Sequence, residues 1–404
     1  MFRLLRELVG VQMWQGAILA CSALAQLAAA RYIGPAGLGT SAVIMGGAAL
    51  CIFLIELNLQ SALVREISTL PEQPRQLLRD NVLIARVTLA LAVGPIVGLW
   101  MYLDHRAGAV WIGTILAVLS QELNPGWWLQ GIGGAANSYR IVGRASLLGC
   151  LLSLPVIYFT RAPGIETICM SSVGALAFLA YWSQYRLPNI SARAIWTGIE
   201  SYFVFAWRHK AFLVGGASFY LYLYPAKLIL ASTRGVGEAG IYGVAAMFGG
   251  AYYAIMVAAF NIYYPRFIAA SEMGSEIYRM TVRRVGIIIV LSGLVAWGGL
   301  MLGRGLVLGI VGDQFTVSLI LAPALLISKI LAGLVLVLRG ALLAKGREKL
   351  SFGTFFLVQC LALAARFYII PKYGILGAAI VEGSQEIIHL LILSTLLFRV
   401  KNNN

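Results

Sequence analysis

Twelve stretches of about 20 largely apolar residues recur along this chain, and no other feature constrains its folding as strongly. They fall at about 9–30, 40–64, 82–103, 109–130, 143–160, 164–185, 210–231, 238–264, 285–308, 314–338, 350–370 and 374–398. A run of that length crosses the hydrocarbon of a bilayer as a helix. In lipid, each backbone N–H and C=O must be satisfied within its own segment, so helix is nearly forced. The weak alternating pattern of a membrane barrel is absent. Only 12% of the residues are charged, against roughly 25% in soluble domains. The expectation is an all-α polytopic membrane protein.

One stretch appears twice. Ala28 to Val43, AAARYIGPAGLGTSAV, ends one apolar run at Arg31, turns on Gly34-Pro35 and begins another. Leu230 to Ala245, LASTRGVGEAGIYGVA, answers Gly34, Ala36, Gly37 and Leu38 with Gly237, Ala239, Gly240 and Ile241, each 203 positions on. Asn58 and Asn261 keep that offset, and Arg266 falls near the equivalent of Arg65. Gln130-Gly131 and Arg339-Gly340, 209 apart, extend the match in the same order. Same-order copies with an even number of spans imply parallel halves related by an axis along the membrane normal. The expected domains are a six-helix lobe at 1–185, a cytoplasmic linker at 186–209, and a second six-helix lobe at 210–404. Within the linker, the spacing of Ile195, Trp196, Ile199, Tyr202 and Phe203 predicts an amphipathic helix on the inner leaflet. Arg3 and Arg6 before an apolar run resemble a cleaved signal peptide. The repeated turn just beyond makes the first span an expected structural element instead.

A net charge of +15 raises the question of a nucleic-acid partner, but the distribution points to the membrane. On a twelve-span map, 22 of the 31 Lys and Arg fall on one side and seven on the other, with Lys227 and Lys329 inside spans. Basic residues concentrate on the cytoplasmic side, so both termini are expected in the cytoplasm and no nucleic acid is implied.

The remaining polar residues within spans are the candidate sites. Gln12, Gln15, Ser22 and Gln26 form a stripe on span one that faces either a cavity or a neighbouring helix. Span two ends LIELNLQSALVREIS, with Glu56, Asn58 and Gln60 ahead of Arg65 at the cytoplasmic mouth, and span four carries Gln121, Glu122 and Asn124 before a break at Pro125-Gly126. Lys227 lies in span seven, Lys329 in span ten, and Glu382, Gln385, Glu386 and His389 share one face of span twelve. A charge at the centre of a span costs about 2.5–3.5 kcal/mol on insertion scales. Lysines and arginines facing a cleft would hold an anion such as a phosphate or diphosphate. Glu56, Glu122, Glu382 and Glu386, with His389 one turn away, would take up and release a proton as a cavity opens to either side. The competing readings are snorkelling, ion pairs that lock helices, polar inter-helix contacts and, for the arginines, leaflet anchoring. Cys21, Cys51, Cys150, Cys169 and Cys360 are scattered and imply neither disulfides nor a metal. No GxxxxGK[ST] is present, so an ion gradient is the expected energy source; no cofactor is implied.

Taken together, RYIGPAGLG after span one, LVREIS at the end of span two, the echo GEAGIYGVA and twelve spans in two halves resemble the polysaccharide transporters. These are the O-antigen repeat-unit (Wzx-type) flippases of the multidrug/oligosaccharidyl-lipid/polysaccharide (MOP) superfamily. The resemblance implies two six-helix lobes that rock between inward- and outward-open states. It also implies a cargo, an undecaprenyl-diphosphate-linked oligosaccharide carried from the cytoplasmic to the periplasmic leaflet of a bacterial inner membrane through a cationic lumen. Arg31, Arg65, Lys227, Arg266 and Lys329 stand where lumen cations would be expected. A monomer is expected, with a polysaccharide polymerase and a chain-length regulator as partners in export. A lipid II flippase and a multidrug exporter of the same superfamily are the nearest alternatives. A polymerase or glycosyltransferase would call for a large outer loop or a cytoplasmic domain with paired carboxylates, and the chain offers neither; an enzyme is not expected.

Overall fold

The computed structural model describes the backbone of residues 2–57, 59–105, 108–185 and 191–400. Asn58 and the side chains of Gln12, Asn261 and Arg266 lie outside the described residues. The described chain is helical from end to end, and it divides into two compact units, Met1–Tyr220 and Leu221–Asn404.

In the first unit, α1 (Phe2–Tyr32) and α2 (Gly34–Glu56) are joined at the repeated turn. Gly34 has φ 83°, a left-handed value that favours glycine, and Pro35 opens the next helix. Gly37 is held by contact, since a Cβ there would run into the Ile33 side chain. The helix α2 stops at Glu56 because Leu57 is left-handed, with its N–H on Phe53 O. Span two therefore ends earlier than the apolar window to 64, and Arg65 sits on a separate short helix, α3 (Gln60–Thr69). Next come α4 (Glu72–His105), α5 (Gly108–Glu122), α6 (Gly126–Gly131), α7 (Ala135–Thr160) and α8 (Ile165–Trp182). Pro125 breaks α5 from α6 as expected, and Asn124 Oδ1 accepts from Gly126 N at 2.9 Å. Trp182 Nε1 donates to Leu123 O at 2.7 Å, satisfying a carbonyl left open at the end of α5.

The amphipathic helix is present as α9 (Ala192–Arg208), N-capped by Ser191, whose side chain accepts from Ala194 N. Rather than linking two units, it packs into the first. Gly198 lies against α4, where a Cβ would be 3.2 Å from Asn81 O. Trp196 and Trp207 point outward, 69% and 71% exposed. The division of the chain falls within α10 (Lys210–Leu223), about ten residues beyond the expected linker.

The second unit contains α11 (Pro225–Arg234), α12 (Val236–Met273), α13 (Ser275–Val311), α14 (Thr316–Ala344) and α15 (Glu348–Val400). Its counterpart of the first turn is displaced: the positive φ, 98°, belongs to Gly235 rather than to the matched Gly237. Of the glycines in span eight, Gly249 is the close approach. A Cβ there would meet Lys329 Cγ at 2.9 Å and Leu325 O at 3.2 Å, whereas Gly243 and Gly250 face open space. Gly374, at φ 55° and ψ −135°, kinks α15 between the last two apolar windows.

Among the described residues, nine helices are long and apolar enough to cross a membrane, and the pair α10 and α11, bent by 42°, makes a tenth. The difference from twelve windows has two sources: α5 is only 15 residues long, and α15 holds two windows in one kinked helix.

Candidate functional site

Arg86 is the centre of the first unit's buried charge. It is 1% exposed, Nη1 lies 3.2 Å from Glu56 Oε1, and Nε lies 3.9 Å from Glu122 Oε2. Its guanidinium also lies over the Trp127 ring, 5.6 Å from the centroid. One cation thus serves two carboxylates, and neither Glu122 oxygen has a hydrogen-bond partner among the described residues. From α9, the Tyr202 hydroxyl donates to Ile55 O at 2.9 Å and Glu56 O at 3.0 Å. Burial pushes this phenol above its usual range, which keeps it a donor. It closes the end of α2, where helix carbonyls lack partners of their own. Charge sorting assigns Arg86 to the inner surface, yet it lies four residues inside the third apolar window, the one signal that could have marked it as buried.

Glu56 also borders a cavity of about 210 Å³. Gln15, Gln60, Gln121, Gln130, Trp127 and Tyr139 contribute to its wall. The polar stripe of span one thus reaches a cavity at Gln15, while Gln26 turns to Ser22 on its own helix, donating at 3.2 Å.

In the second unit, Lys329 Nζ lies 2.6 Å from Glu382 Oε1, donates to the Tyr222 hydroxyl at 2.7 Å, and stands over the Tyr222 ring at 4.2 Å. The Tyr242 hydroxyl donates to Glu382 Oε2. Beside them Arg366, 1% exposed, donates from Nη2 to Gln385 Oε1 at 2.7 Å, and Gln385 Nε2 donates to Glu386 Oε1 at 2.9 Å. Arg366 too is a miss of charge sorting, which places it on the outer surface although it lies inside the eleventh window. His389 stacks on Phe355 at 5.3 Å, and neither ring nitrogen has a partner among the described residues. Arg339 lies on the same ring, its guanidinium 3.8 Å from the centroid.

The expected lumen cations differ in their surroundings. Lys329 is bound to a carboxylate, Arg31 and Arg65 are exposed on α1 and α3, and Lys227 is half-buried on α11 with no ion pair among the described residues. Of the expected coupling carboxylates, Glu56 and Glu122 flank Arg86 in one unit, and in the other Glu382 holds Lys329 while Glu386 accepts from Gln385. No three His, Cys, Asp or Glu among the described residues are grouped to hold a metal.

This is a multi-pass α-helical membrane protein, with a fold shared by transporters and a flippase of known structure. An inward-facing multidrug resistance MATE family transporter of the MOP superfamily is similar at TM-score 0.68 and 16% identity, covering 98% of this chain and 99% of that one. The lipid II flippase MurJ in an inward closed conformation is similar at TM-score 0.71 and 12% identity, covering 98% and 87%. A MATE structure in a bent conformation follows at TM-score 0.60 and 16% identity, covering 98% and 96%. No family model and no curated protein sequence matches the chain.

Proposed function

We propose that this chain is an ion-coupled flippase that moves an undecaprenyl-diphosphate-linked oligosaccharide, an O-antigen or similar surface-polysaccharide repeat unit, to the periplasmic leaflet of a bacterial inner membrane. The observation that carries the reading is the double position of Glu56, which is both a member of a buried ion cluster and part of the wall of a polar cavity. A carboxylate shared in this way lets the protonation of one site alter the shape and charge of the other, which is what coupled exchange requires. The Glu56 and Glu122 pair, with one cation between them, takes the proton. Lys227, with no ion pair among the described residues, is the cation of the second unit that this reading assigns to the diphosphate; Lys329 serves Glu382 instead. The excess of basic residues on one side supports cytoplasmic termini.

Reconstitution tests this reading. Proteoliposomes carrying a labelled undecaprenyl-diphosphate oligosaccharide should expose it to an outside reagent faster when a proton gradient is imposed, with a sodium gradient run in parallel. Lipid II and ethidium serve as competing cargoes. Transport of lipid II at an equal or higher rate would reassign the protein to that cargo, and transport of ethidium alone would make it a multidrug exporter.

A further inference from the structure

We infer that the cavity of the first unit binds one neutral, hydroxyl-rich ring, a sugar residue of the cargo glycan, and so selects which glycans are accepted. The identity of the cargo rests on the flippase reading; the ligand class follows from the cavity itself. Gln15, Gln60, Gln121 and Gln130 present carboxamides, and none of the four side chains is hydrogen-bonded to protein among the described residues. Each carboxamide offers an acceptor oxygen and two N–H donors, and each sugar hydroxyl is both donor and acceptor, so the two sets match. Trp127, 2% exposed, lines the same wall, and its buried indole N–H has no partner among the described residues. Buried donors are almost always satisfied, and the described residues supply no acceptor for this one.

The alternatives fit less well. The lining holds no Lys, Arg or His among the described residues, so a phosphate would find no charge-assisted donor. Glu56, its one charged residue among those described, is already on Arg86, which leaves little for an organic cation. Ile18 and Val142 are its only aliphatic members among the described residues, too few for a lipophilic drug, whose sites are mostly apolar. At about 210 Å³ the cavity is also below the ~300–1,000 Å³ of drug-sized sites, so it suits one ring and not an oligosaccharide.

The test is saturation-transfer NMR on the full chain in lipid nanodiscs, with methyl glycosides of neutral hexoses, 6-deoxyhexoses and N-acetylhexosamines as probes. At least one glycoside should show transfer. The paired substitution Gln15→Leu and Gln121→Leu should weaken it about tenfold or more, the loss of roughly one to two hydrogen bonds. Tyr139→Phe, a milder change, should weaken it by a smaller factor, and inorganic pyrophosphate and ethidium should not compete. Monodisperse elution of each variant separates lost binding from lost folding. Transfer to none of the glycosides, unchanged transfer in both variants, or displacement by ethidium overturns the assignment. Glycoside binding without transport of the lipid-linked cargo would keep the cavity's assignment and sink the flippase reading. Transport whose glycan selectivity is unchanged in the cavity variants would do the opposite.

Discussion

Lys329 on α14 and Glu382 on α15 meet at 2.6 Å with their side chains only 9% and 10% exposed, and Tyr222 and Tyr242 supply the hydrogen bonds that complete the pair. Such a pair is costly to assemble and more costly to break, because removing one partner leaves a buried charge uncompensated. Lys329→Ala or Glu382→Ala should each destabilise the second unit by about 3–5 kcal/mol. Lys329→Met combined with Glu382→Leu should recover most of that loss. Thermal unfolding of the four proteins in detergent checks this; a double variant no better than the singles would contradict it.

The first unit's cluster is unbalanced, with one cation for two carboxylates. Arg86→Ala strands Glu56 and Glu122 together and should cost about 3–5 kcal/mol, more than either carboxylate substitution. Glu122→Gln leaves Arg86 and Glu56 a balanced pair and should be tolerated. It should, however, reduce the dependence of transport on a proton gradient. Unfolding midpoints and gradient titrations distinguish the two effects, and full gradient dependence in Glu122→Gln would remove that residue from coupling.

Tyr202 ties the amphipathic helix α9 to the end of α2. Tyr202→Phe removes a hydroxyl that donates to two carbonyls, a loss of about 1–2 kcal/mol. Hydrogen exchange should rise in α9 and in the last turn of α2, with α12 and α14 unchanged. Uniform exchange across the chain would show that this contact does not hold α9.

Gly374 should resist replacement. At φ 55° and ψ −135° a side chain is strained, and a Cβ would also lie 2.6 Å from Glu238 Oε2. Gly374→Ala should cost about 1–3 kcal/mol and lower the unfolding midpoint without preventing insertion. An unchanged midpoint would mean that α15 straightens freely.

Much of the framework is legible in the order of the amino acids. The apolar windows place the helices, since hydrocarbon leaves the backbone no alternative, and Gly34-Pro35 marks a turn whose conformation glycine and proline favour. The end of α2 is not legible: Leu57 adopts a left-handed conformation with no glycine to signal it. Nor is the place of α9, because an amphipathic pattern shows that a face is apolar without showing what covers it.

Charge is the least legible of all. Counting basic residues by side places Arg86 and Arg366 on surfaces, and both are 1% exposed. Their partners sit far along the chain, 30 residues separating Arg86 from Glu56 and 145 separating Arg366 from Leu221. By itself, the sequence determines that the chain is a set of membrane helices, because length and apolarity suffice for that in lipid. Only the tertiary structure decides which buried charges meet, which glutamines share a cavity, and that Lys329 is occupied by Glu382. Those outcomes depend on the rotation and depth of each helix against its neighbours, which packing sets and local sequence does not record.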